Sequence, residues 1–311
     1  MRIHKNSKVR FSMLGSLAII ALAGASLLSG NDATADSAAT IAGTQAIYGA
    51  IAPDQAESLS TGDRIKSVVQ SGSMMAIWQT LEHGEKVECV DCIPYVAPLV
   101  YDANARTREI AAWWLRRRIF GVFGPGEVYT QILDKLKSDP DPVTRGYAAS
   151  AIGEFLTSIG ADALATSIAT DPDPTVRSAA ATALGRMNSD GSGAITKALA
   201  DGDARVRAAG LKSATSIAGF ADRASLARLT ADPDAIVRRT AADAIGATRA
   251  TEGVDGLIAL AKDSDANVRN AAAHALGALK DARAKNVLTD LAANDADGLV
   301  RDQAKIALRR L

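Results

Sequence analysis

Residues 171–185 read Asp171-Pro172-Asp173-Pro174-Thr175-Val176-Arg177-Ser178-Ala179-Ala180-Ala181-Thr182-Ala183-Leu184-Gly185. The stretch is a helix start. Asp173 suits the N-cap, because a carboxylate there accepts a bond from a first-turn N–H that has no partner inside the helix. Pro174 falls at the first helical position, where its missing N–H costs nothing and its fixed φ suits the helix. Val176, Ala180, Ala183 and Leu184 then recur at helical spacing, and Gly185 is the expected stop. Asp171-Pro172 stiffens the turn that leads in.

The stretch is one of seven copies. The frame Asp-x-(Asp/Asn)-x-x-x-Arg occurs as Asp102/Asn104/Arg108, Asp139/Asp141/Arg145, Asp171/Asp173/Arg177 and Asp201/Asp203/Arg207. It continues as Asp232/Asp234/Arg238, Asp263/Asp265/Arg269 and Asp295/Asp297/Arg301. Successive arginines are 37, 32, 30, 31, 31 and 32 residues apart. Three residues after each stands a small side chain: Ala111, Ala148, Ala180, Gly210, Ala241, Ala272 and Ala304. Seven after it stands Leu or Ile, except for Ala214 in the fourth copy. A repeat of this length marks a solenoid or a similar stacked array.

The frame and its alanine-rich helix resemble the short HEAT-type repeats of the bilin-lyase (EZ-HEAT) class, over roughly residues 93–311. The resemblance implies an all-α fold, a right-handed α-solenoid of about seven HEAT-like helix pairs. In that class the turn aspartate and the helix arginine pair and link neighbouring repeats. Carried over, this makes Asp102, Arg108, Asp139, Arg145, Asp171, Arg177, Asp201, Arg207, Asp232, Arg238, Asp263, Arg269, Asp295 and Arg301 a structural ladder. A charge placed identically in every unit can form such a row of charge-assisted bonds. The resemblance fixes no activity, since such repeats serve many unrelated proteins.

The chain has 311 residues, 48% hydrophobic but only 4% aromatic, so its core must be built from Ala, Leu, Ile and Val. With 35 basic and 35 acidic residues there is no global pull toward nucleic acid or an anionic membrane. Arg2, Lys5, Lys8 and Arg10 precede an uncharged apolar run from Phe11 to Ser29, and Ala33-Thr34-Ala35 offers a small-x-small cleavage site. That is the layout of a secretory signal peptide over residues 1–35. An uncleaved membrane anchor is the alternative, since the run nears the length of a span. Removing residues 1–35 leaves 31 basic and 34 acidic residues, a mildly acidic chain expected in the periplasm or outside the cell.

Residues 36–60 are expected to be a flexible lead-in. Residues 61–92 read as an N-terminal helical cap, with Ser71-Gly72-Ser73 dividing it into two helices. From 93 to 311 the array follows, its helix pairs near 93–101 with 105–119, 127–138 with 142–155, 160–170 with 174–186 and 192–200 with 204–218. The last three are 222–231 with 235–247, 253–262 with 266–279 and 283–293 with 298–310. A longer connection from Gly121 to Gly126 accounts for the 37-residue spacing, and no strand pattern of useful length is present. Twelve of the thirteen aromatic residues precede residue 156, which marks the N-terminal third as the specialised part.

Three constellations could carry chemistry. Cys89 and Cys92 are the only cysteines. In an exported chain the pair reads as a local disulfide staple. It could instead be redox-active, although the surrounding strand–helix alternation of a thioredoxin-like motif is missing. As a third reading, His83 with Cys89 and Cys92 offers three weak metal-ligand candidates. The second constellation is Trp113-Trp114-Leu115-Arg116-Arg117-Arg118. Aromatic and basic residues together can bind single-stranded nucleic acid. The spacing, however, puts Trp114 on the apolar stripe and the arginines in the last turn, where cations suit the helix C-terminus. Trp113 and Arg116 remain candidates for partner contact.

The third is the inner face of the array. Positions one and five after each arginine project away from the apolar stripe. They read Glu109/Trp113, Gly146/Ser150, Ser178/Thr182, Ala208/Lys212, Arg239/Asp243, Asn270/His274 and Asp302/Ile306. A constant frame with variable positions is how a stacked scaffold encodes a binding surface. Glu109, Trp113, Arg116, Thr182, Lys212, Arg239, Asp243, Asn270 and His274 are the partner-binding candidates. Catalysis finds little support. Deoxyhypusine hydroxylase, an iron enzyme on similar repeats, uses His-Glu pairs, whereas His83 is followed by Gly84 and His274 by Ala275. No Gly-rich phosphate loop or nucleophile elbow is present. The expectation is a non-enzymatic exported scaffold without a cofactor, holding another protein of the cell envelope, with no nucleic-acid partner and no membrane span after cleavage. The alternative is a redox, metal- or cofactor-handling protein, lyase-like or oxidoreductase, centred on Cys89 and Cys92.

Overall fold

The seven-residue frame builds the same turn seven times. In every copy the first aspartate's Oδ1 accepts the backbone N–H of the residue two positions on, at 2.7–3.0 Å. That second residue then caps the helix. Asp173 Oδ1, for example, accepts from the Thr175 N–H at 2.7 Å, and Asn104 does the same for Arg106 in the first copy. The arginine closes the turn from the other side. Arg177 Nη1 donates back to the carbonyls of Asp171 and Pro172, at 3.0 and 3.1 Å. All seven arginines repeat this pair of bonds. Every group involved lies within six residues of its partner, so the turn is encoded locally.

The computed structural model describes residues 61–121, 124–188 and 191–311. The leader expected at 1–35 and the lead-in at 36–60 lie outside the described residues. Two helices come first, α1 (Gly62–Ser71) and α2 (Met74–His83). The first repeat pairs the short α3 (Ile93–Val96), extended by a 3₁₀ turn over Ala97–Tyr101, with α4 (Ala105–Ile119). Next are α5 (Glu127–Ser138) with α6 (Pro142–Phe155), and α7 (Ala161–Thr170) with α8 (Pro174–Met187). Then α9 (Ser192–Leu199) pairs with α10 (Ala204–Ser216), and α11 (Arg223–Arg228) with α12 (Ala235–Thr248). The last pairs are α13 (Val254–Leu260) with α14 (Ala266–Leu279), and α15 (Lys285–Asn294) with α16 (Gly298–Leu308).

The even-numbered helices from α4 to α16 pack side by side as one inner row, and the odd-numbered helices form a sparser outer row. This is an α-solenoid. Its only strand pairing among the described residues is an antiparallel one of Phe120–Gly121 with Gly124–Pro125 in the long first connection. A ladder of two residues is too short to leave a strand pattern in the sequence.

Small residues let the inner helices approach. The residue three after each arginine is fully buried, as with Ala148, Ala180 and Ala241. The residue seven after it fills the space between rows, as with Ile152, Leu184 and Leu276. A buried aliphatic side chain of this size contributes about 1.5–3 kcal/mol. Gly185 is not the helix stop. It lies inside α8, where an added Cβ would come within 2.6 Å of Ser213 Cβ and 2.8 Å of Ser213 Cα. Its role is close approach of backbones, and Gly153, Gly246 and Gly277 stand in the same register against Ala183, Ala275 and Ala307. The helices end three residues later, at a left-handed residue: Leu156, Asn188, Arg249 or Lys280, with φ of 45–56°.

Candidate functional site

The arginine that closes its own turn with Nη1 has Nε and Nη2 left over, and these point at the next repeat. Arg145 reaches Asp171, Arg177 reaches Asp201, Arg207 reaches Asp232, Arg238 reaches Asp263 and Arg269 reaches Asp295. Each contact is bidentate, as in Arg207 Nε and Nη2 to the two oxygens of Asp232 at 2.7 and 2.8 Å. Such paired forks are among the stronger charge-assisted bonds. The side chains are largely enclosed, 12% exposed for Arg207 and 4% for Asp232. Each arginine is pushed up by its aspartate. Bonds from the arginines hold the Asp263 and Asp295 carboxyls below the usual range. At Asp201 and Asp232 burial pushes upward, but the arginine and the turn N–H overcome it.

Seven sets were expected and five rungs form. Arg108 does not reach Asp139. The inserted connection changes the first junction, where Lys135 Nζ takes Asp139 at 3.1 Å and the Arg108 guanidinium lies 3.9 Å above the Tyr147 ring. Asp102 belongs to the first turn, and its carboxylate receives only its local N–H among the bonds described. Arg301 closes its own turn but meets no following aspartate among the described residues.

Seven of the nine partner-binding candidates fall into three hollows between neighbouring inner helices. Glu109 and Thr182 line one of about 170 Å³ with Arg108, Ser150 and Arg186. Thr182 and Lys212 line a second of about 280 Å³ with Ser178 and Arg205. Arg239, Asp243, Asn270 and His274 come together in a third of about 340 Å³, joined by Asn267 and Gln303. In that hollow partial burial raises the Asp243 carboxyl, while Arg239 and His274 draw it down. Asn270 is also committed to structure, since its Nδ2 donates to the Leu299 carbonyl at 3.2 Å.

A third column belongs to this face and was not singled out from the sequence. The residue two before each arginine is exposed in every repeat: Arg106, Val143, Thr175, Arg205, Ile236, Asn267 and Leu299. Ile236 is 60% and Leu299 75% exposed. The signal was present, because this position shares a helical face with those at plus one and plus five, through spacings of three and four.

The N-terminal segment separates its aromatic and basic residues. Trp114 is fully buried and its Nε1 donates to the Gly84 carbonyl at 3.1 Å. Trp113 is half-buried against the core and Arg116 is half-exposed. Arg118, read from the sequence only as a last-turn cation, does the binding within the fold. It donates to the carbonyls of Gly84, Glu85 and Val87 and stacks 3.6 Å above the Trp114 ring. Burial lowers its pKa to about 10. Cys89 and Cys92 are joined at 2.05 Å, and both sulfurs crowd Gly62 at the start of α1. His83 does not join them. Among the described residues no three His, Cys, Asp or Glu side chains gather to hold a metal ion, so the candidate set His83, Cys89 and Cys92 is not assembled.

The repeated turn, the two helix rows and the arginine rungs define an α-solenoid of short helical repeats. A family profile described as HEAT repeats matches residues 129–215 and 223–309, more than half of the chain, and the chain belongs to that family. A comparison with curated protein sequences returned no match. Among solved structures it is similar to YibA of Escherichia coli, at 15% identity, covering 91% of this chain and 100% of that one with a TM-score of 0.55. It is also similar to the CpcE–CpcF complex of phycocyanin lyase from Nostoc sp. PCC7120, at 21% identity over 70% of this chain and 86% of that one, with a TM-score of 0.41. Human deoxyhypusine hydroxylase gives 18% identity, 80% and 95% coverage and a TM-score of 0.35. At these identities the likeness is one of fold. No helix among the described residues is long and apolar enough to cross a membrane.

Proposed function

We propose that this chain is a non-enzymatic scaffold, exported through its N-terminal leader, that holds another protein of the cell envelope on its inner face. One observation carries the reading. The turn, cap and rung residues are nearly constant from repeat to repeat, while the three inner columns change from apolar to hydroxylic, basic, amide and acidic. Stacked repeats that keep their frame and vary one face present an extended recognition surface. The hollow of Arg239, Asp243, Asn270 and His274 gathers four of the partner-binding candidates, which makes it the first place to look for contact. Cys89 and Cys92 fit a local disulfide staple holding the loop before α3 against α1. The metal reading at the cysteines has no gathered ligand set among the described residues to support it.

The test is cross-linked affinity capture of the full chain from the envelope fraction, with metal content assayed on the same eluate. One stoichiometric protein, lost on Trp113→Ala or on Arg239→Ala/Asp243→Ala while the variants melt like the parent, supports the scaffold. Metal or a small ligand without a protein would redirect attention to the cysteine segment.

A further inference from the structure

Arg239 and Asp243 stand four residues apart on α12, the spacing at which opposite charges on a helix can meet. They do not meet. Arg239 is exposed, and its guanidinium forms no hydrogen bond or ion pair among the described residues. The Asp243 carboxylate accepts no hydrogen bond among them either, and the pull of Arg239 and His274 on it is electrostatic alone. A basic residue ahead of an acidic one is the weaker order for such a pair, since it opposes the helix dipole. Three other opposite pairs on the inner helices have closed. Arg205 Nη2 lies 2.9 Å from Asp203 Oδ2, Lys305 Nζ lies 3.0 Å from Asp302 Oδ1, and Arg186 bonds Glu154.

The facing wall, on α14, adds neutral polar groups. Asn270 Nδ2 is pinned by the Leu299 carbonyl at 3.2 Å, which leaves Oδ1 as the free end of that carboxamide. Asn267 and His274 complete the wall, and the hollow between the two helices measures about 340 Å³. Asp243 is open enough to be reached, yet desolvated enough for its carboxyl to rise. Both helices have a repeat on either side, α12 between α10 and α14 and α14 between α12 and α16, so the hollow owes nothing to an end of the array.

We propose that the groove between α12 and α14 binds an extended segment of the partner protein, with an acidic side chain on Arg239 and a basic one, two residues away, on Asp243. Spacing decides the form of the occupant. Four residues of helix rise about 6 Å. Alternate residues of an extended strand share a face and lie ~6.6 Å apart. A segment lying along α12 therefore presents residues i and i+2 to the two charges together, whereas i and i+1 would point to opposite sides. The acid fills an arginine fork that has no other bond. The base supplies the donors that Asp243 lacks, with Asn270 Oδ1 as a further acceptor. A single charge is the poorer occupant, because a lone cation would also meet Arg239 and a lone anion would also meet Asp243. This recognition rests on the inner face being the partner surface of the proposed scaffold, and it names what that surface takes.

The test titrates the full chain with the end-capped pentapeptide Gly-Glu-Gly-Lys-Gly, read by NMR at the Arg239 Nε–Hε signal and the backbone amides of α12 and α14. The expected result is a saturable shift at both charges, weakened by salt. Changing the probe's Glu or Lys to Gln, or setting Glu and Lys side by side, should weaken binding about three- to fivefold. Asp243→Lys makes the site doubly basic. It should lose the Glu-Gly-Lys probe and gain Gly-Glu-Gly-Glu-Gly, a reversal that a merely damaged fold would not give. No saturable shift, equal binding of the neutral or side-by-side probes, or an unchanged preference in Asp243→Lys would overturn the proposal. An envelope protein captured equally by the parent and by Asp243→Lys would also overturn it while leaving the scaffold reading in place. Peptide binding as expected, with no protein captured, would support the site and overturn the scaffold.

Discussion

Asp232→Asn tests the rungs where the array has least else to hold it. Between α10 and α12 the close-approach position is Thr215 rather than glycine, and these two helices pack less extensively than α6 with α8 or α8 with α10. The substitution removes the charge that receives two bonds from Arg207, at 2.7 and 2.8 Å, and weakens the 2.9 Å bond from the Asp234 N–H. Breaking a buried ion pair by neutralising one partner costs about 3–5 kcal/mol. Arg207 keeps its bonds to the Asp201 and Gly202 carbonyls, and the substituted side chain would still offer one acceptor oxygen, so we place the loss near 2–3 kcal/mol. At roughly 2–4 °C per kcal/mol for a chain of this size, the melting temperature should fall by about 5–10 °C. Because repeats couple to their neighbours only, the damage should stay local. Hydrogen exchange should rise at the start of α12 and along α10, and remain unchanged in α14 and α16. Urea unfolding should divide into two transitions where the parent shows one. A loss below about 0.5 kcal/mol, within the range of ordinary surface substitutions, or an exchange increase spread over the whole array, would refute the rung's role as a joint.

Glycine to alanine should act with opposite sign at two helical sites. Gly185→Ala drives a Cβ into Ser213 and should destabilise by about 1–3 kcal/mol, whereas Gly193→Ala, with nothing within 4 Å, should be neutral to stabilising by up to about 1 kcal/mol. Denaturant midpoints read both. Arg249→Gly relieves an exposed left-handed residue at the end of α12 and should stabilise by about 0.5–1 kcal/mol; an unchanged or lower midpoint would contradict that account. The depressed carboxyls of Asp201, Asp232, Asp263 and Asp295 set the acid response. Their contribution is complete above the unfolded value of about 4 and is lost as pH falls through the lower folded values. Stability should therefore hold from neutrality to about pH 5 and drop below about pH 4, less steeply in Asp232→Asn.

How far the sequence could be read depended on the reach of each interaction. The Asp-x-Asp turn was legible because all its bonds close within six residues, and the cap at Asp173 followed from the same short logic. The rung partner sits 24–26 residues on, so it entered through resemblance, and it failed where the chain between repeats is longer, at Arg108 and Asp139. The partners of Arg118 escaped notice for the same reason, since the cap carbonyls it binds lie 31–34 residues earlier. Gly185 shows a different limit. A glycine near the end of an apolar stripe can stop a helix or admit a neighbouring backbone, and one copy cannot tell the two apart. Four copies can: a terminator has no reason to keep a fixed distance from the arginine while the left-handed residue three positions later changes from Leu to Asn, Arg and Lys.

That register also explains why a partner surface can change without loosening the stack. On one inner helix the arginine and the positions four and eight after it face the next repeat, while those three and seven after it fill the core. The positions at minus two, plus one and plus five are left for the inner surface. Helical periodicity keeps the three sets on different faces, so a substitution such as Lys212→Glu alters the surface without touching a rung or a glycine contact. The separation is incomplete where an inner residue spans two repeats, as Asn270 does through the Leu299 carbonyl. A loss of binding on changing Asn270 is therefore ambiguous between contact and support. Arg239 and Lys212 make no such bridge in the bonds described, and they are the cleaner probes of what the face recognises.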